Sequence, residues 1–420
     1  MQVFKFGGAS VNSVERIKKS AEILHLYKNE KILIVISAMG KTTNELEQVV
    51  HAFYQRDREK ALSLFREIKN KHLDIAAELL QKPLPVLLDF FTEVEWLLHD
   101  KPVKHFDYYY DQVVCVGELL STAIVSAYLN ETGIENKWLD VRDIFRTDNN
   151  FRDAFVNYPQ TTLNINSIVW PAFNETNIVI TQGFIGATSD NESTTLGREG
   201  SDFSAAVFAN IMDAEKIIIW KDVEGVMNAD PKMFPDAVLI PELSYQEVIE
   251  MAYYGAQVIH PKTIKPLQNK QVPLFVKSFI DPHLPGTAIK KIIIKNLPPV
   301  IVYKEKQVMI DLRTKDFSFV GEKNVILLYD LFQRYKLKPN LTQNTAISFL
   351  CVMDDHPEKI EQLSLEASGW FEVTVLKDLE LLTVRHFNEI QLKSMLQNRK
   401  VLLRQETVEV VQVLMAGYTG

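Results

Sequence analysis

The stretch VFKFGGAS, residues 3–10, places a lysine, two glycines and a serine where a short apolar strand turns into a helical pattern. Gly7 and Gly8 carry no Cβ and tolerate positive φ, so backbone N–H groups there could approach an anion near a helix N-terminus. Lys5 adds a positive charge beside them. The combination suits a phosphate, although glycine at such a turn can also serve geometry alone. It matches neither the Walker loop nor the G-x-G-x-x-G fingerprint.

A second stretch, TTLGREGSDFSAAVFA at residues 194–209, predicts a glycine-containing loop that enters a helix. Arg198 stands between two glycines, and Ser201 and Asp202 follow it. Ser201 or Asp202 could simply cap the helix, but capping does not explain the arginine. Because a guanidinium offers two parallel donors to a carboxylate, Arg198 is predicted to bind a ligand.

Two further polar residues stand beside apolar runs. Glu118 lies in VVCVGELLSTAIVSAYL, residues 113–129, where nearly all neighbours are apolar. Buried carboxylates need a partner, so Glu118 either meets a cation such as a substrate ammonium or faces water at a helix start. Thr43, in VISAMGKTTNELEQ at residues 35–48, follows an apolar strand. It could contact a ligand at the carboxyl edge of a parallel sheet, or it could cap a helix.

Composition narrows the class of protein. The 420 residues suffice for two or three domains, and a hydrophobic content of 46% can fill their cores. A formal charge of −8 argues against broad attraction to nucleic acid or to an anionic membrane surface. We find no secretory signal and no run of about 18 apolar residues, so we expect no membrane span and a cytoplasmic location. Cys115 and Cys351 are too few for a disulfide framework or a zinc site and are predicted to be structural.

The pattern of elements predicts two kinds of domain. Up to about residue 280, apolar strand-like runs alternate with helical patterns, which predicts an α/β fold with a mainly parallel sheet between helices. Residues 44–130 have an almost continuous helical pattern. The first domain is therefore predicted to span residues 1–295, with a turn-rich stretch at 281–291 near its end.

The tail, residues 300–420, changes to an α+β pattern. A βαββαβ unit is predicted at about 305–377, followed by a shortened copy at about 378–420. A shortened copy would not cover its own sheet. We therefore expect the first unit or another subunit to complete it, and we expect a homodimer or a higher homo-oligomer.

Eight motifs occur in one order along the chain, namely KFGGAS, VISA…TTN, VGELLS, WLDVRDIFRT, ITQGFIGA, TTLGREGSD, WKDVEGVMNADPK and MAYYGAQVIHPKTI. In this order and spacing the sequence resembles the aspartate kinase family over residues 1 to about 290, and the tail resembles the paired ACT regulatory modules of that family. The resemblance implies the amino-acid kinase fold. It also implies the conversion of L-aspartate and ATP to 4-phospho-L-aspartate and ADP, the entry to lysine, threonine and methionine synthesis. No Rossmann fingerprint follows residue 290, so no fused dehydrogenase is expected.

Carried over position by position, the resemblance also implies a role for individual residues. The residues for the ATP phosphates are Lys5, Gly7, Gly8 and Ser10. The residues for the rest of the nucleotide are Lys221, Asp222, Met227, Lys232, Gln257 and Val258. The residues for L-aspartate are Thr43, Glu118, Arg198 and Ser201. Asp202 organises the reacting centre, so Lys5 and Asp202 are the predicted catalytic residues; no protein metal site is predicted, and Mg²⁺ is expected with ATP.

The nucleotide segment departs from the family pattern. Where the family usually has a threonine before the aspartate, a tyrosine near the adenine and two basic residues, this sequence has Lys221, Met227, Lys232 and Gln257. Met227 could still pack on the adenine, and Lys232 keeps a positive charge, whereas Gln257 loses one.

The residue types agree with the implied reaction. The β-carboxylate of aspartate has a reference pKa of about 4 and is ionised at neutral pH, so no general base is required. A carboxylate that approaches a triphosphate needs charge compensation, which Lys5, the glycine amides and Mg²⁺ would supply. Arg198 would hold the α-carboxylate and Glu118 the α-ammonium, which leaves the substrate side chain free.

Two other functions stay open, namely another kinase of the same fold acting on glutamate, acetylglutamate, carbamate or UMP, and a catalytically weak amino-acid sensor. The tail is predicted to be a feedback switch that binds an amino-acid effector, with lysine as the first expectation and threonine as the second. The family binds effectors near TKDFSFVGEKN (314–324) and LTQNTAIS (341–348), although these residues could also only close a turn.

Overall fold

The computed structural model describes residues 1–256 and 259–416, which form two compact units. The first unit comprises residues 1–226, 239–249 and 259–294 of the described chain. The second comprises residues 227–238, 250–256 and 295–416. The second unit thus contains two short internal segments besides the tail.

The first unit contains an eight-stranded sheet in the order β3-β4-β2-β1-β7-β9-β10-β8. Every neighbouring pair in it is parallel except β9 and β10. The strands of this unit, including the small hairpin β5-β6, are β1 (Gln2–Phe6), β2 (Ile32–Ile36), β3 (Asn136–Trp138), β4 (Ile178–Gln182), β5 (Ile185–Ala187), β6 (Ser193–Thr195), β7 (Lys216–Lys221), β8 (Glu242–Ser244), β9 (Leu274–Ser278) and β10 (Thr287–Lys290). All residues of β1, β2 and β4 are buried, as expected for parallel strands covered on both faces. The mainly parallel α/β fold predicted from the sequence is confirmed.

Helices cover the sheet and form the predicted helical region between residues 44 and 130. The α-helices up to residue 270 are α1 (Val14–His25), α2 (Thr42–Tyr54), α3 (Arg58–Leu79), α4 (Val86–His99), α5 (Phe106–Val114), α6 (Val116–Glu131), α7 (Val141–Ile144), α8 (Tyr158–Asn164), α9 (Trp170–Ala172), α10 (Gly200–Ile211), α11 (Tyr245–Tyr254) and α12 (Pro261–Lys270). A short 3-10 helix, Gly8–Val11, precedes α1. The residues of α11 are divided between the two units.

The helical stretch Phe106–Glu131, formed by α5 and α6, is long and apolar enough by composition to cross a membrane. It is not an unbroken run of 18 apolar residues, since Glu118, Ser121, Thr122 and Ser126 interrupt it. In addition, 83% of its most apolar window is buried inside the protein. A helix that is apolar all round and surrounded by protein is typical of a core helix, and α6 carries Glu118 in its first turn.

The second unit is built on a six-stranded antiparallel sheet in the order β12-β13-β11-β14-β16-β15. Its elements are β11 (Val300–Thr314), α13 (Glu322–Arg334), β12 (Pro339–Asn344), β13 (Ser348–Asp354), α14 (Pro357–Ala367), β14 (Phe371–Arg385), α15 (Glu389–Met395), β15 (Val401–Glu406) and β16 (Val410–Ala416). The first six follow the βαββαβ order that the sequence predicts.

The shortened second copy is completed within this unit, which was one of the two expected alternatives. Strands β11 and β14 are each 15 residues long. The C-terminal half of β11 pairs with β13, whereas its N-terminal half pairs only with the end of β14, beside which β16 lies. Both copies thus share two continuous strands, and the predicted boundary at residues 377–378 falls inside β14. A register shift between Lys304 and Met309 marks the change from one half to the other.

Three clusters of buried side chains hold this sheet and its helices together. One lies under α13 and α14 and includes Leu312, Phe332 and Leu363. Another lies under α15 and includes Val384, Leu392 and Val413. The third joins Leu341, Val352, Leu379, Leu381 and Leu414 from four strands. Since side chains alternate along a strand, this last cluster lies on the sheet face opposite the helices.

Candidate active site

A cavity of about 570 Å³ lies in the first unit at the carboxyl ends of its central parallel strands. Its volume is within the range of small-molecule sites. The strands β1, β2, β4 and β7 deliver Lys5, Ser37, Phe184 and Lys221 to this edge, where ligands of open α/β sheets bind. The predicted site residues that line it are Lys5, Gly7, Gly8, Ser10, Thr43, Glu118, Arg198, Ser201, Asp202, Lys221 and Asp222.

The glycine turn after β1 lines this cavity, and it depends on the absence of a Cβ and not on a positive φ. Gly7 has φ −76°, and Gly8 is not among the residues with positive φ. Gly8 is required by close approach instead, because a Cβ there would lie 2.6 Å from the carbonyl oxygen of Ala38. Its own carbonyl accepts a hydrogen bond of 3.0 Å from Gly40 N. The turn is therefore pressed against the end of β2, and the 3-10 helix Gly8–Val11 begins there.

Lys5 and Asp202 form an ion pair at the base of the cavity. Lys5 Nζ lies 2.6 Å from Asp202 Oδ1, and both residues are buried. Lys5 is fixed by β1, which pairs with β2 on one side and β7 on the other, whereas Asp202 belongs to the first turn of α10. Burial acts to raise the pKa of Asp202, but the ammonium groups of Lys5 and Lys221 outweigh it, and the pKa lies below its ordinary value. Asp202 is therefore a carboxylate at neutral pH.

The start of α10 shows that neither Ser201 nor Asp202 is the helix cap. The N-cap position is held by Glu199, in a left-handed conformation with φ 54° and with no capping hydrogen bond from its side chain. Ser201 and Asp202 lie inside the first turn, where backbone N–H groups have no partner within the helix. Such a helix start favours an anion.

Glu118 is buried rather than solvent-exposed, so the alternative that it faces water is wrong. It lies in the first turn of α6 and is 2% exposed. Its Oε1 accepts a hydrogen bond of 3.3 Å from Ala38 N, whereas Oε2 has no hydrogen-bond partner among the described residues. Burial raises the pKa of Glu118 to about 8, although the N–H of Ala38 and the charge of Lys5 act in the opposite direction. A buried carboxylate of this kind in a cavity wall favours a cationic ligand group.

Arg198 lies in the loop between β6 and α10 and is exposed at the cavity. The preceding Gly197 has φ +74°, a conformation that glycine adopts without strain. A Cβ at Gly197 would also lie 2.5 Å from Asp153 Oδ1. Glycine at this position therefore allows the loop to turn beside residue 153 and to present Arg198 to the cavity.

Thr43 is the second residue of α2, and Lys41 holds the N-cap position, so Thr43 is not the helix cap. Its side chain lines the cavity. On the predicted nucleotide side, Lys221 and Asp222 line the same cavity at the end of β7. Met227 and Lys232 belong to the second unit, and their roles stay predictions.

Gln257 and Val258, the remaining predicted nucleotide contacts, lie outside the described residues.

Tyr110 and Arg152 are among the cavity residues that the sequence reasoning missed. The guanidinium of Arg152 lies 4.2 Å from the centre of the Tyr110 ring. It also pairs with Glu47 at 3.1 Å and with Asp107 at 3.4 Å. Arg152 has φ 71°, an unusual conformation for a residue with a Cβ. No local pattern in the sequence marks either residue, because their neighbours come from distant parts of the chain.

The side chains that could bind a metal ion determine which ligands the protein could contribute to one. In residues 1–256 and 259–416, no group of three or more His, Cys, Asp or Glu side chains could hold one. Mg²⁺ that travels with a nucleotide is usually bound by one or two carboxylates together with phosphates and water. Asp202 and Asp222 both line the cavity and fit that requirement.

A mainly parallel sheet whose strand ends carry a glycine turn, a Lys–Asp pair and a buried carboxylate defines an α/β protein with a small-molecule site at the edge of its sheet. Residues 1–278 match the amino acid kinase family. Over 419 residues the chain is 30% identical to aspartokinase 1, chloroplastic, of Arabidopsis thaliana, with 95% of this chain and 69% of that protein covered. The chain belongs to the amino acid kinase family and, within it, to the aspartokinases.

Other aspartokinases are similar over different shares of their length. The chain is 34% identical over 297 residues to bifunctional aspartokinase/homoserine dehydrogenase 2, chloroplastic, of A. thaliana, covering 68% of this chain. It spans only 32% of that relative. The structure of Escherichia coli aspartokinase III with lysine and aspartate, in the T-state, has a TM-score of 0.82 at 25% identity, covering 99% of this chain and 96% of that one. The R-state structure with aspartate and ADP has a TM-score of 0.81 at the same identity and coverage.

Proposed function

We propose that this protein is an aspartate kinase, which transfers the γ-phosphate of ATP to the β-carboxylate of L-aspartate. The observation that carries the proposal is the presence, in one cavity, of Arg198 and the buried Glu118 beside the glycine turn and the Lys5–Asp202 pair. The first two suit the two ends of a free amino acid, and the others suit a phosphate. The bound aspartate and ADP of E. coli aspartokinase III support this choice of substrates.

The proposed mechanism depends on position and charge. Arg198 binds the α-carboxylate and Glu118 binds the α-ammonium, while Thr43 and Ser201 contact the same substrate. An oxygen of the β-carboxylate, already ionised, attacks the γ-phosphorus, and the bond to the β–γ bridging oxygen breaks to release ADP. Lys5 and the amides of the glycine turn stabilise the negative charge of the transferring phosphate. Asp202 holds Lys5 in place through their ion pair.

Mg²⁺ would neutralise part of the triphosphate charge when bound with ATP. The residues available to it are Asp202 and Asp222, which line the cavity. Lys221, Asp222, Met227, Lys232, Gln257 and Val258 are the proposed contacts of the nucleotide.

A substrate comparison tests the proposed activity. ADP release by the purified protein is measured with aspartate, glutamate and homoserine as acceptors, each with MgATP. We expect release with aspartate and only background release with the other two, because glutamate carries its carboxylate one methylene further out and homoserine has a neutral hydroxyl in place of the ionised carboxylate. Release with glutamate but not aspartate would move the protein to another kinase of the same fold. No release with any acceptor would favour the amino-acid sensor.

We further propose that the second unit binds an amino-acid effector, lysine first and threonine second. The lysine bound to E. coli aspartokinase III supports this, as does the exposure of Phe317 and Phe319 in the loop between β11 and α13. This loop reaches residues 341–348, since Val320 N donates to Ala346 O at 2.9 Å. Hydrogen bonds of Thr314 and Ser318 also close this loop, and Thr345 closes the turn between β12 and β13, so the turn-closing role holds in either case.

Calorimetry with lysine and threonine tests the effector proposal. An effector that inhibits through coupled binding must itself bind more weakly when aspartate and MgATP are saturating. Heat from one amino acid that weakens with the substrates present is the expected result. No heat from either, with unchanged turnover, would leave the tail as a structural arm.

We also propose a homo-oligomer, in which β12 or β15 at the sheet edges meets a second copy, to be tested by light scattering.

A further inference from the structure

Asp111 is a buried carboxylate that joins two loops of the first unit. It lies in α5 and is 0% exposed. Its Oδ1 accepts a hydrogen bond of 2.7 Å from Thr195 Oγ1. Its Oδ2 accepts bonds of 2.8 Å from Thr195 N and 3.0 Å from Arg152 N. One side chain therefore binds the backbone at two positions that are far apart in the sequence.

Both attachment points lie beside residues that line the cavity. Thr195 ends β6, three residues before Arg198, and Arg152 lines the cavity itself. The left-handed backbone of Arg152, with φ 71°, is strained for a residue with a Cβ. A hydrogen bond from its N–H to a buried carboxylate is the kind of support that such a conformation needs.

A second tie holds the same two loops together. Lys262 Nζ donates to Leu196 O at 2.8 Å and to Asp153 Oδ1 at 2.8 Å. Leu196 follows Thr195, and Asp153 follows Arg152, so each loop is bound at two consecutive residues. Asp111 is the buried member of this double attachment, and Lys262 is the partly exposed one.

The guanidinium of Arg152 is positioned as firmly as its backbone. It stacks on Tyr110, the residue before Asp111, and pairs with Glu47. Glu47 follows Thr43 by four residues on α2, so both lie on one face of that helix. Arg152 thus connects the helix that carries Thr43 with the loop that Asp111 holds.

We infer that Asp111 is a positioning residue for the acceptor half of the active site, holding the loops of Arg152 and Arg198 so that both face the bound amino acid. The inference rests on the proposed function. Asp111 is not among the residues that line the cavity, so it would act on the substrate through the loops that it holds. Its effect is expected on the aspartate side, because neither loop contains a predicted nucleotide contact.

The directions of the hydrogen bonds at Asp111 predict which substitutions preserve its positioning role. An asparagine could accept both backbone N–H groups with its oxygen and donate from its nitrogen to Thr195 Oγ1. An alanine would leave two buried N–H groups without their acceptor. Burial raises the pKa of Asp111 to about 7, although the hydrogen bonds from Thr195 and Arg152 act in the opposite direction.

The test compares Asp111→Ala and Asp111→Asn in steady-state kinetics of the full chain, with melting temperatures measured in parallel. We expect Asp111→Ala to raise KM for aspartate by about 10-fold or more, as loss of a supporting hydrogen bond does in other sites, and KM for ATP by less than about 2-fold. Asp111→Asn should restore KM for aspartate to within about 3-fold of the unchanged protein.

Asp140→Ala is the matched control, because Asp140 is a carboxylate that caps α7 and does not line the cavity. It should lower the melting temperature and leave the ratio of KM for aspartate to KM for ATP unchanged. If Asp111→Ala does not fold, Thr195→Val removes the hydroxyl bond alone and should raise KM for aspartate by a smaller factor. Equal rises of both KM values, or an unchanged KM for aspartate, would overturn the inference. Absence of aspartate turnover in the unchanged protein would instead overturn the proposed function.

Discussion

Lys5 Nζ lies 2.6 Å from Asp202 Oδ1, and the two side chains are only 11% and 6% exposed. The two residues are held by different elements, the central strand β1 and the first turn of α10. Because both side chains are largely buried, the pair keeps the lysine fixed where a phosphate would arrive, so little reorganisation is needed during transfer.

Lys5→Ala and, separately, Asp202→Ala should lower kcat by about 10²–10³, the usual effect of losing one preorganised electrostatic contact. ADP release measured at saturating substrates reports the change, and circular dichroism checks that the fold persists. Lys19→Ala is the control, since Lys19 is a more exposed lysine on α1 that pairs with Glu22 in the same helix. A Lys5→Ala protein with near-normal kcat would remove Lys5 from the reaction.

Arg198→Lys should raise KM for aspartate far more than KM for ATP. Lysine keeps the charge but loses the two parallel donors with which a guanidinium binds a carboxylate. The measurement is KM for each substrate with the other saturating. The opposite pattern would place Arg198 on the nucleotide side of the cavity.

Glu118→Gln should weaken aspartate binding and also change the pH dependence of stability. The pKa of Glu118 is raised from 4.5 to about 8 in the folded protein, so the folded state holds a proton that the unfolded state releases. The contribution of Glu118 to the free energy of unfolding therefore falls as the pH rises from about 4.5 to about 8. The Glu118→Gln variant has no carboxyl group at this position, so its free energy of unfolding lacks this decrease with pH.

Urea titrations of the unchanged protein and of the Glu118→Gln variant, both without ligand, check this expectation. Relative to the unchanged protein, Glu118→Gln should be more stable at pH 8.5 than at pH 5.5. The contribution of Asp111, whose pKa is also raised, is common to both proteins and cancels in the comparison. The same difference in stability at both pH values would mean that Glu118 is not a desolvated carboxylate.

Leu414→Ala should destabilise the second unit by about 2–5 kcal/mol, the usual effect of truncating a buried leucine. Leu414 of β16 is 0% exposed and packs in the cluster that contains Leu341 and Leu381. Leu365→Ala on α14, where the leucine is 77% exposed, is the control and should change stability by less than about 0.5 kcal/mol. Similar urea midpoints for the two variants would contradict a shared core across the six-stranded sheet.

Much of the active site could be predicted from the sequence because many of its residues stand close together in short segments of the chain. Lys5 lies near the end of a buried strand and the glycine turn follows it directly, and Arg198 stands just before the helix whose first turn contains Ser201 and Asp202. Period and composition alone predict such strand ends and helix starts, and parallel strands bring them to one edge. The α/β class and the βαββαβ order of the tail depend on the same short-range patterns.

The tertiary structure decided what depends on contacts between distant segments. Asp111 binds residues 41 and 84 positions away, so neither its role nor that of Arg152 could be read from any local pattern. Gly8 is needed for its approach to Ala38, which follows β2, and not for a positive φ. Residues 300–304 pair with the end of β14, about 80 positions on, and so complete the shortened copy. Local sequence determines which helices and strands form. Their pairing and burial depend on contacts in the folded chain. Those contacts determine which carboxylates are desolvated and which loops are held at the site.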